Sequence, residues 1–191
     1  EIGVHIADVT HYLKPDSTLD REAYQRSTSV YLVDRVCPML PEKLSNNLCS
    51  LVPHQDRLTF SAVFEFTPKG KLLKRWFGKT VIHSAHRFAY EQAQTILENK
   101  THDDLDTLPI FPQLDWAVKT LDRIAKVMRK ERQKNGAIGF ETDEVRFKLA
   151  PDGTPLEAYV KERKDAHLLI EDFMLLANKE VAIYMDNKGK D

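Results

Sequence analysis

The sequence predicts an α+β fold in which helices pack against a mixed, largely antiparallel sheet. Two hairpin patterns, at 58–82 and 145–160, and two long amphipathic helical patterns, at 114–134 and 165–183, carry this prediction. Hairpins and helices alternate without the regular strand–helix–strand order of a doubly wound sheet. The 191 residues correspond to about one domain, so we expect a single folding unit.

The composition is that of a globular domain. Hydrophobic residues make up 42% and charged residues 30% of the chain, with only 7 Gly and 9 Pro, which argues against disordered and collagen-like classes. No apolar run reaches the ~18 residues that a membrane-spanning helix needs. The net charge of -1 neither indicates nor excludes a polyanion as partner.

The two cysteines, Cys37 and Cys49, form no CxxC pair, which disfavours both a zinc site and a disulfide framework. A reducing, cytoplasmic location is therefore expected. The chain begins with Glu1 inside a strand pattern, in which Ile2, Val4 and Ile6 alternate with polar or small residues. We accordingly expect residues 1–191 to be an internal portion of a longer domain.

The first half of the chain contains one helix and one clear hairpin. Ser17 or Thr18 is placed to cap a helix over 19–26. Prolines within 32–43 predict a structured loop there. The alternating segment 58–66 then leads through Pro68-Lys69-Gly70 into a second strand over 72–82.

The second half contains three helical patterns and a second hairpin. A short helix follows Phe88, and the acidic, proline-containing stretch 99–112 predicts a linker. The helix over 114–134 ends in a basic run, which suits the negative end of its dipole. Pro151-Asp152-Gly153 is a turn between strands, and Asp165 is placed to cap the last helix.

Acidic clusters are the first candidates for metal chemistry, because Mg²⁺ is bound by several converging oxygen ligands. The only dense set, Asp103, Asp104 and Asp106, lies in the predicted linker, and we interpret it as a solvated loop. Asp8 follows the first strand, where either a structural cap or a metal ligand is conceivable; the structural role is favoured. No metal site is expected within the chain.

Motifs for covalent or nucleotide chemistry are absent from the sequence. His83 and His86 lack a partner at zinc-ligand spacing, His5 lies in a strand pattern, and no serine lies in a GxSxG elbow. Neither GxxxxGK[ST] nor GxGxxG occurs. These observations disfavour a serine hydrolase, an ATPase and a dehydrogenase.

Two aromatic residues stand outside the periodic core pattern. Tyr31 opens the proline-containing loop, and Phe140 closes a glycine-containing segment. Each is a candidate for stacking on the bases of single-stranded nucleic acid, although core packing is the commoner role of such residues. The basic run at 129–134 is a candidate for phosphate contacts, with a solvated helix end as the simpler interpretation.

An ordered series of motifs resembles the ribonuclease II and ribonuclease R family, and the residues within these motifs are more similar to those of the ribonuclease R branch. The motifs cover nearly the whole chain: Gly3-Val-His-Ile-Ala-Asp-Val9, Leu19-Asp-Arg-Glu-Ala23, Thr28-Ser-Val-Tyr31, Pro38-Met-Leu-Pro41, Leu44-Ser-Asn-Asn-Leu-Cys-Ser-Leu51, Gly136-Ala-Ile-Gly-Phe140 and Asp165-Ala-His-Leu-Leu-Ile-Glu-Asp-Phe-Met-Leu-Leu-Ala-Asn178.

The resemblance implies a processive, Mg²⁺-dependent exoribonuclease that shortens single-stranded RNA from its 3′ end and releases nucleoside 5′-monophosphates. It places the family's aromatic clamp on Tyr31 and Phe140 and a ribose contact on Glu171. A stacking clamp tolerates any base, whereas a carboxylate that accepts a 2′-hydroxyl distinguishes RNA from DNA. No membrane partner and no small-molecule cofactor beyond the metal are implied.

The resemblance also implies what this chain lacks. The family's metal-binding aspartates are expected upstream of Glu1, and its arginine-rich motif downstream of Asp191, so the chain alone is predicted to be inactive. Two alternatives stay open: a catalytically dead relative that still binds RNA, and an α+β interaction domain with chance motif overlap. The second alternative predicts no RNA binding.

Overall fold

The computed structural model describes residues 1–99, 112–138 and 144–189. Its strands are β1 Ile2–Ala7, β2 Val30–Tyr31, β3 Val36–Cys37, β4 Asp56–Phe66, β5 Leu72–His83, β6 Val145–Leu149 and β7 Pro155–Val160. Its helices are α1 Val9–Tyr12, α2 Thr18–Arg26, α3 Tyr90–Leu97, α4 Pro112–Lys134 and α5 Asp165–Lys188, with a π-helical turn at Lys43–Leu48. The predicted α+β class is confirmed.

The main sheet has the order β1-β4-β5, and both pairings are antiparallel. Alternation along β4 places Phe60, Ala62 and Phe64 on one face, and Phe64 is completely buried. This face packs against Ala177 of α5. The sheet and α5 thus form the two layers of the domain core.

The opposite face of the same strands carries a polar network. Thr59 Oγ1 and Ser61 Oγ lie 2.6 and 2.5 Å from Thr80 Oγ1, and Ser61 Oγ lies 2.6 Å from His5 Nδ1. Thr59 and Ser61 are completely buried, so these hydrogen bonds satisfy hydroxyls that water cannot reach. Burial lowers the pKa of His5, which favours the neutral ring at this position.

Two long helices complete the main core. Ile124 and Ala125 of α4 pack against Leu169 and Phe173 of α5, and all four residues are buried. These positions follow the three- and four-residue spacing that predicted both helices. Within the described residues, no helix has an apolar stretch of the length required to span a bilayer.

A smaller core holds α2 against the proline-containing segment that follows it. Ala23, Leu40 and Leu44 are buried together. Ser17 Oγ accepts a hydrogen bond from the Asp20 amide at 3.1 Å, which confirms the predicted N-cap. The segment 32–43, predicted to be a loop, contains β3, because backbone hydrogen bonds to β2 form before Pro38 interrupts them.

One predicted cap is wrong. Asp165 is the first residue of α5, and Lys164 occupies the N-cap position. His167 Nδ1 accepts the Lys164 amide hydrogen at 3.2 Å, and Gln94 Oε1 of α3 accepts that of Ala166 at 3.0 Å. The Asp165 carboxylate instead lies 3.0 Å from Lys126 Nζ of α4, and a side chain from another helix satisfies the Ala166 amide. Most of the predicted linker at 99–112 lies outside the described residues.

Candidate nucleic-acid interface

Tyr31 lies in the short β2–β3 hairpin and is 77% exposed. The turn is closed by a 2.8 Å hydrogen bond from the Leu32 amide to the Arg35 carbonyl oxygen. Ser29 Oγ accepts the Met39 amide hydrogen at 2.9 Å, which ties the hairpin base to the segment that packs on α2. An anchored backbone therefore presents a solvent-exposed aromatic ring, as a stacking platform requires.

The turn of this hairpin lies beside the β6–β7 hairpin. Val33 and Asp34 border a cavity of about 450 Å³ together with residues of β6, β7 and their turn: Phe147, Leu149, Asp152, Gly153 and Pro155. The Arg35 guanidinium holds the pKa of the Asp34 carboxyl below its ordinary value, so this carboxylate is ionised at neutral pH. The cavity thus combines apolar walls with acidic side chains.

Glu171 lies on α5, and its side chain is 44% exposed. Its carboxylate forms an ion pair with the guanidinium of Arg163, which lies in the segment between β7 and α5. The next residue, Asp172, is 1% exposed and faces α4. Two consecutive residues of α5 therefore carry one accessible and one buried carboxylate, because their side chains point in different directions.

The N-terminal end of α5 is fixed by contacts with α3. The rings of Tyr90 and His167 stack with centroids 4.2 Å apart and planes 14° apart. Burial, and then the positive charge of Lys161, lowers the pKa of His167. The neutral ring can accept the Lys164 amide hydrogen through Nδ1, so the stack and the cap reinforce each other.

Two of the three RNA-binding residues predicted from the sequence, Tyr31 and Glu171, lie within the described residues. Tyr31 and Glu171 lie on separate elements, and within the described ranges no hydrogen bond or ring contact joins them. Phe140 lies outside the described residues. The roles of all three residues remain predictions.

The buried Asp8 carboxylate is bound by protein donors. Asp8 accepts a 2.6 Å hydrogen bond from Thr10 Oγ1 and lies 3.0 Å from Lys79 Nζ. These two donors, in that order, hold the pKa of Asp8 below its ordinary value. The described residues contain no group of three or more His, Cys, Asp or Glu side chains placed to bind a metal. They therefore do not fit a Mg²⁺ site.

Two arginines of the basic run at the end of α4 form ion pairs within the protein. Arg129 and Arg132 both bind the buried Asp172 carboxylate, which makes them structural cations between two helices. Periodicity alone did not find this partner, because Asp172 is 43 residues from Arg129 in the chain. The Arg163–Glu171 pair was likewise missed, since no local spacing rule joins a loop residue to the helix that follows it.

Comparison with known proteins assigns the chain to a family. The RNB domain matches residues 1–191. The chain is 47% identical over 188 residues to DIS3-like exonuclease 2 of Schizosaccharomyces pombe and 39% identical over 188 residues to Ribonuclease R 2 of Lactococcus lactis. These matches cover 95% and 98% of this chain but only 20% and 28% of the relatives' lengths.

A further relative and a solved structure complete the comparison. The chain is 38% identical over 187 residues to a protein of Arabidopsis thaliana named Inactive exonuclease DIS3L2, covering 95% of this chain and 18% of that protein. The structure of Mycoplasma genitalium RNase R in complex with ribose methylated single-stranded RNA superimposes with a TM-score of 0.89 at 31% identity, covering 98% of this chain and 28% of that one. The chain belongs to the RNB-domain family, which includes ribonuclease R and the DIS3-like exonucleases.

Proposed function

We propose that this chain forms part of the RNA channel of a processive 3′-to-5′ exoribonuclease, which hydrolyses single-stranded RNA to nucleoside 5′-monophosphates. The observation that carries the proposal is the exposure of Tyr31 on an anchored hairpin, at a position that matches the family's stacking tyrosine. A large ring left in solvent adds nothing to the core, whereas stacking on a base uses its apolar face.

Glu171 supplies the second part of the proposed site. Its half-exposed carboxylate is accessible from solvent, while the helix that carries it is fixed at its N-terminal end. A carboxylate oxygen accepts a hydrogen bond from a ribose 2′-hydroxyl, which DNA lacks. Phe140 is proposed as the second aromatic member of the clamp. Together these residues would hold the 3′ nucleotides without reading their bases.

Hydrolysis is assigned to residues outside this chain. Because the described residues contain no cluster of His, Cys, Asp or Glu side chains placed to bind a metal, and the buried Asp8 is paired with Lys79, we propose that the Mg²⁺ ligands and the catalytic residues lie on other parts of the longer polypeptide. Mg²⁺ there would supply an activated water and stabilise the leaving oxygen. Residues 1–191 form one portion of the catalytic domain in this proposal and are inactive by themselves.

We propose the cytoplasm as the location, on the basis of the unpaired Cys37 and Cys49 thiols. An exposed thiol such as that of Cys37 is compatible with a reducing compartment.

A catalytically dead RNA-binding protein is the second candidate. It is raised by a 38% identical relative whose name includes the word inactive, although an equally similar relative of the same organism is named DIS3-like exonuclease 2. In this alternative the polypeptide keeps the RNA channel and lacks the upstream aspartates.

The test is degradation of a 5′-labelled RNA with a single-stranded 3′ extension in the presence of Mg²⁺. It compares this chain with a longer polypeptide that includes the segments expected before Glu1 and after Asp191. Trimming by the longer polypeptide alone supports the proposal. RNA binding without trimming by the longer polypeptide supports the dead-relative alternative, and absence of binding by both refutes the proposed function.

A further inference from the structure

We propose that Arg163 is a positioning residue for Glu171, which it orients and partly neutralises so that the carboxylate accepts a ribose 2′-hydroxyl beside a phosphate backbone. The inference rests on the proposed function, because it names the residue that makes Glu171 selective for RNA. Arg163 lies outside the periodic patterns of the sequence, and its role follows only from its contact in the fold.

The geometry of the pair leaves one carboxylate oxygen available. Arg163 Nη2 donates to Glu171 Oε2. Among the described residues, no donor is bonded to Oε1 of the same carboxylate. Both side chains are 44% exposed, so the carboxylate is accessible to a ligand from solvent. An ionised carboxylate accepts several hydrogen bonds, so binding of Arg163 does not exclude a hydroxyl donor.

The surroundings of the pair define what Arg163 contributes. The first turn of α5 is fixed by the Tyr90–His167 stack and by the bond from the Ala166 amide to Gln94. This frame sets the position of the Glu171 backbone but not its side-chain rotamer. The planar guanidinium restricts the carboxylate to a smaller set of orientations, and so reduces the entropy lost when a hydroxyl binds.

Charge gives Arg163 a second effect. A carboxylate beside an RNA backbone is repelled by the phosphates, which carry one negative charge per nucleotide. The guanidinium is always protonated and offsets this repulsion locally. Removal of Arg163 therefore weakens RNA binding through both the orientation and the charge of Glu171, whereas a DNA strand loses only the charge contribution.

The test is fluorescence anisotropy of this chain with a labelled single-stranded RNA and a DNA of the same sequence. The measured quantity is the ratio of the two dissociation constants. Arg163→Gln is expected to lower the preference for RNA by about 3- to 10-fold, the size of one ordinary net hydrogen bond, because the variant weakens the contact made by Glu171 without removing it. Glu171→Gln is expected to lower it similarly, and the double variant no further than either single one.

Two further variants separate positioning from general effects. Arg163→Lys keeps the positive charge but lacks the planar guanidinium. Compared with Arg163→Gln, it is expected to regain the overall affinity for both strands but only part of the preference for RNA. Arg146→Gln is the matched control, since Arg146 forms an exposed pair with Glu144 at 2.7 Å and with side chains 50% and 55% exposed. It is expected to leave the ratio unchanged. Urea unfolding confirms that each variant is folded.

The outcomes distinguish this inference from the function on which it rests. If Glu171→Gln lowers the RNA preference and Arg163→Gln does not, Glu171 acts without Arg163 and the inference is refuted alone. If Arg163→Gln weakens RNA and DNA binding equally, Arg163 is only a phosphate contact and the inference is again refuted. If the unmodified chain binds neither strand, or if Glu171→Gln leaves the ratio unchanged, the proposed ribose contact fails and the inference fails with it.

Discussion

Arg129 and Asp172 join the two long helices through a buried ion pair. The Nε and Nη2 atoms of Arg129 donate to Asp172 Oδ2 at 2.9 and 2.7 Å. Arg132 Nη1 lies 2.8 Å from Oδ1 of the same carboxylate, which is 1% exposed. Two cations from α4 thus occupy both oxygens of one anion on α5, next to the helix position that carries Glu171.

Asp172→Asn is expected to lower the free energy of unfolding by about 3 kcal/mol, because removal of one partner leaves two partly buried guanidinium groups without their counter-ion. Urea denaturation followed by circular dichroism measures the change. Glu65→Gln is the control: its carboxylate pairs with Lys74 at 3.1 Å, and the Lys74 and Glu65 side chains are 78% and 45% exposed. That change is expected to cost less than about 1 kcal/mol. Equal losses for the two variants would contradict a structural role for the buried pair.

Tyr31→Ala is expected to weaken binding of single-stranded RNA by about 1 to 3 kcal/mol, the loss of one stacked base, with little effect on stability. Tyr24→Ala is the control, because Tyr24 is 86% exposed on α2 and belongs to no proposed site. In an active longer polypeptide, Tyr31→Ala is also expected to change the length of the end product while largely sparing the chemical step. Gel analysis of the products checks this, and an unchanged product length argues against the clamp.

Acidification is expected to destabilise the fold through His5 and His167. Burial lowers the pKa of both rings below the ordinary value of about 6.5, so near pH 6 the unfolded chain binds more protons than the folded one. Stability therefore falls as the pH drops through about 6.5 and levels off below the folded pKa values. The urea midpoint should fall less between about pH 7.5 and about pH 5.5 in His5→Gln or His167→Gln than in the unmodified chain. An identical decrease in all three proteins would exclude these residues as the cause.

Asp8→Asn is expected to destabilise the chain at neutral pH, since Lys79 and Thr10 lose their charged acceptor. The pKa of Asp8 is lowered in the folded state, so its contribution is present above about pH 4 and is lost as the pH falls through the folded value. The stability difference between the variant and the unmodified chain should therefore shrink in acid. A thermal unfolding series with and without Mg²⁺ checks the structural role. If Mg²⁺ stabilises the unmodified chain but not Asp8→Asn, Asp8 is a metal ligand instead.

The spacing of apolar residues predicted the regular elements, because it follows the face of each strand or helix that is buried. Alternation over 58–66 and the turn at Pro68-Lys69-Gly70 predicted β4 and β5, and a three- and four-residue spacing predicted α4 and α5. The β2–β3 hairpin was missed because each strand has only two residues, too few for alternation to be visible. The cap at Asp165 was wrong because the helix already includes Asp165, whose carboxylate pairs with Lys126 of α4.

The candidate site was also predicted only in part: the sequence identified two of its residues but not the groups that contact them. Tyr31 and Glu171 were found from ordered motifs, and the fold shows both side chains accessible to solvent. Their partners were not predictable, because Arg163 reaches Glu171 across a helix start and Gln94 reaches Ala166 over 72 positions. Side-chain contacts of this kind depend on how helices dock, which residue spacing does not encode.

The amino-acid sequence by itself determined the fold class, the main hairpin, the long helices and membership of the RNB-domain family, since hydrophobic period and motif order are properties of the chain alone. The tertiary structure decided which carboxylates are buried in ion pairs and which are accessible to a ligand. Asp8 and Asp172 are buried and neutralised by distant cations, whereas Glu171 stays accessible beside Arg163. The physical reason is that burial and charge pairing depend on three-dimensional proximity: strand pairing in the main sheet brings Lys79 to Asp8, and the packing of α4 on α5 brings Arg129 to Asp172.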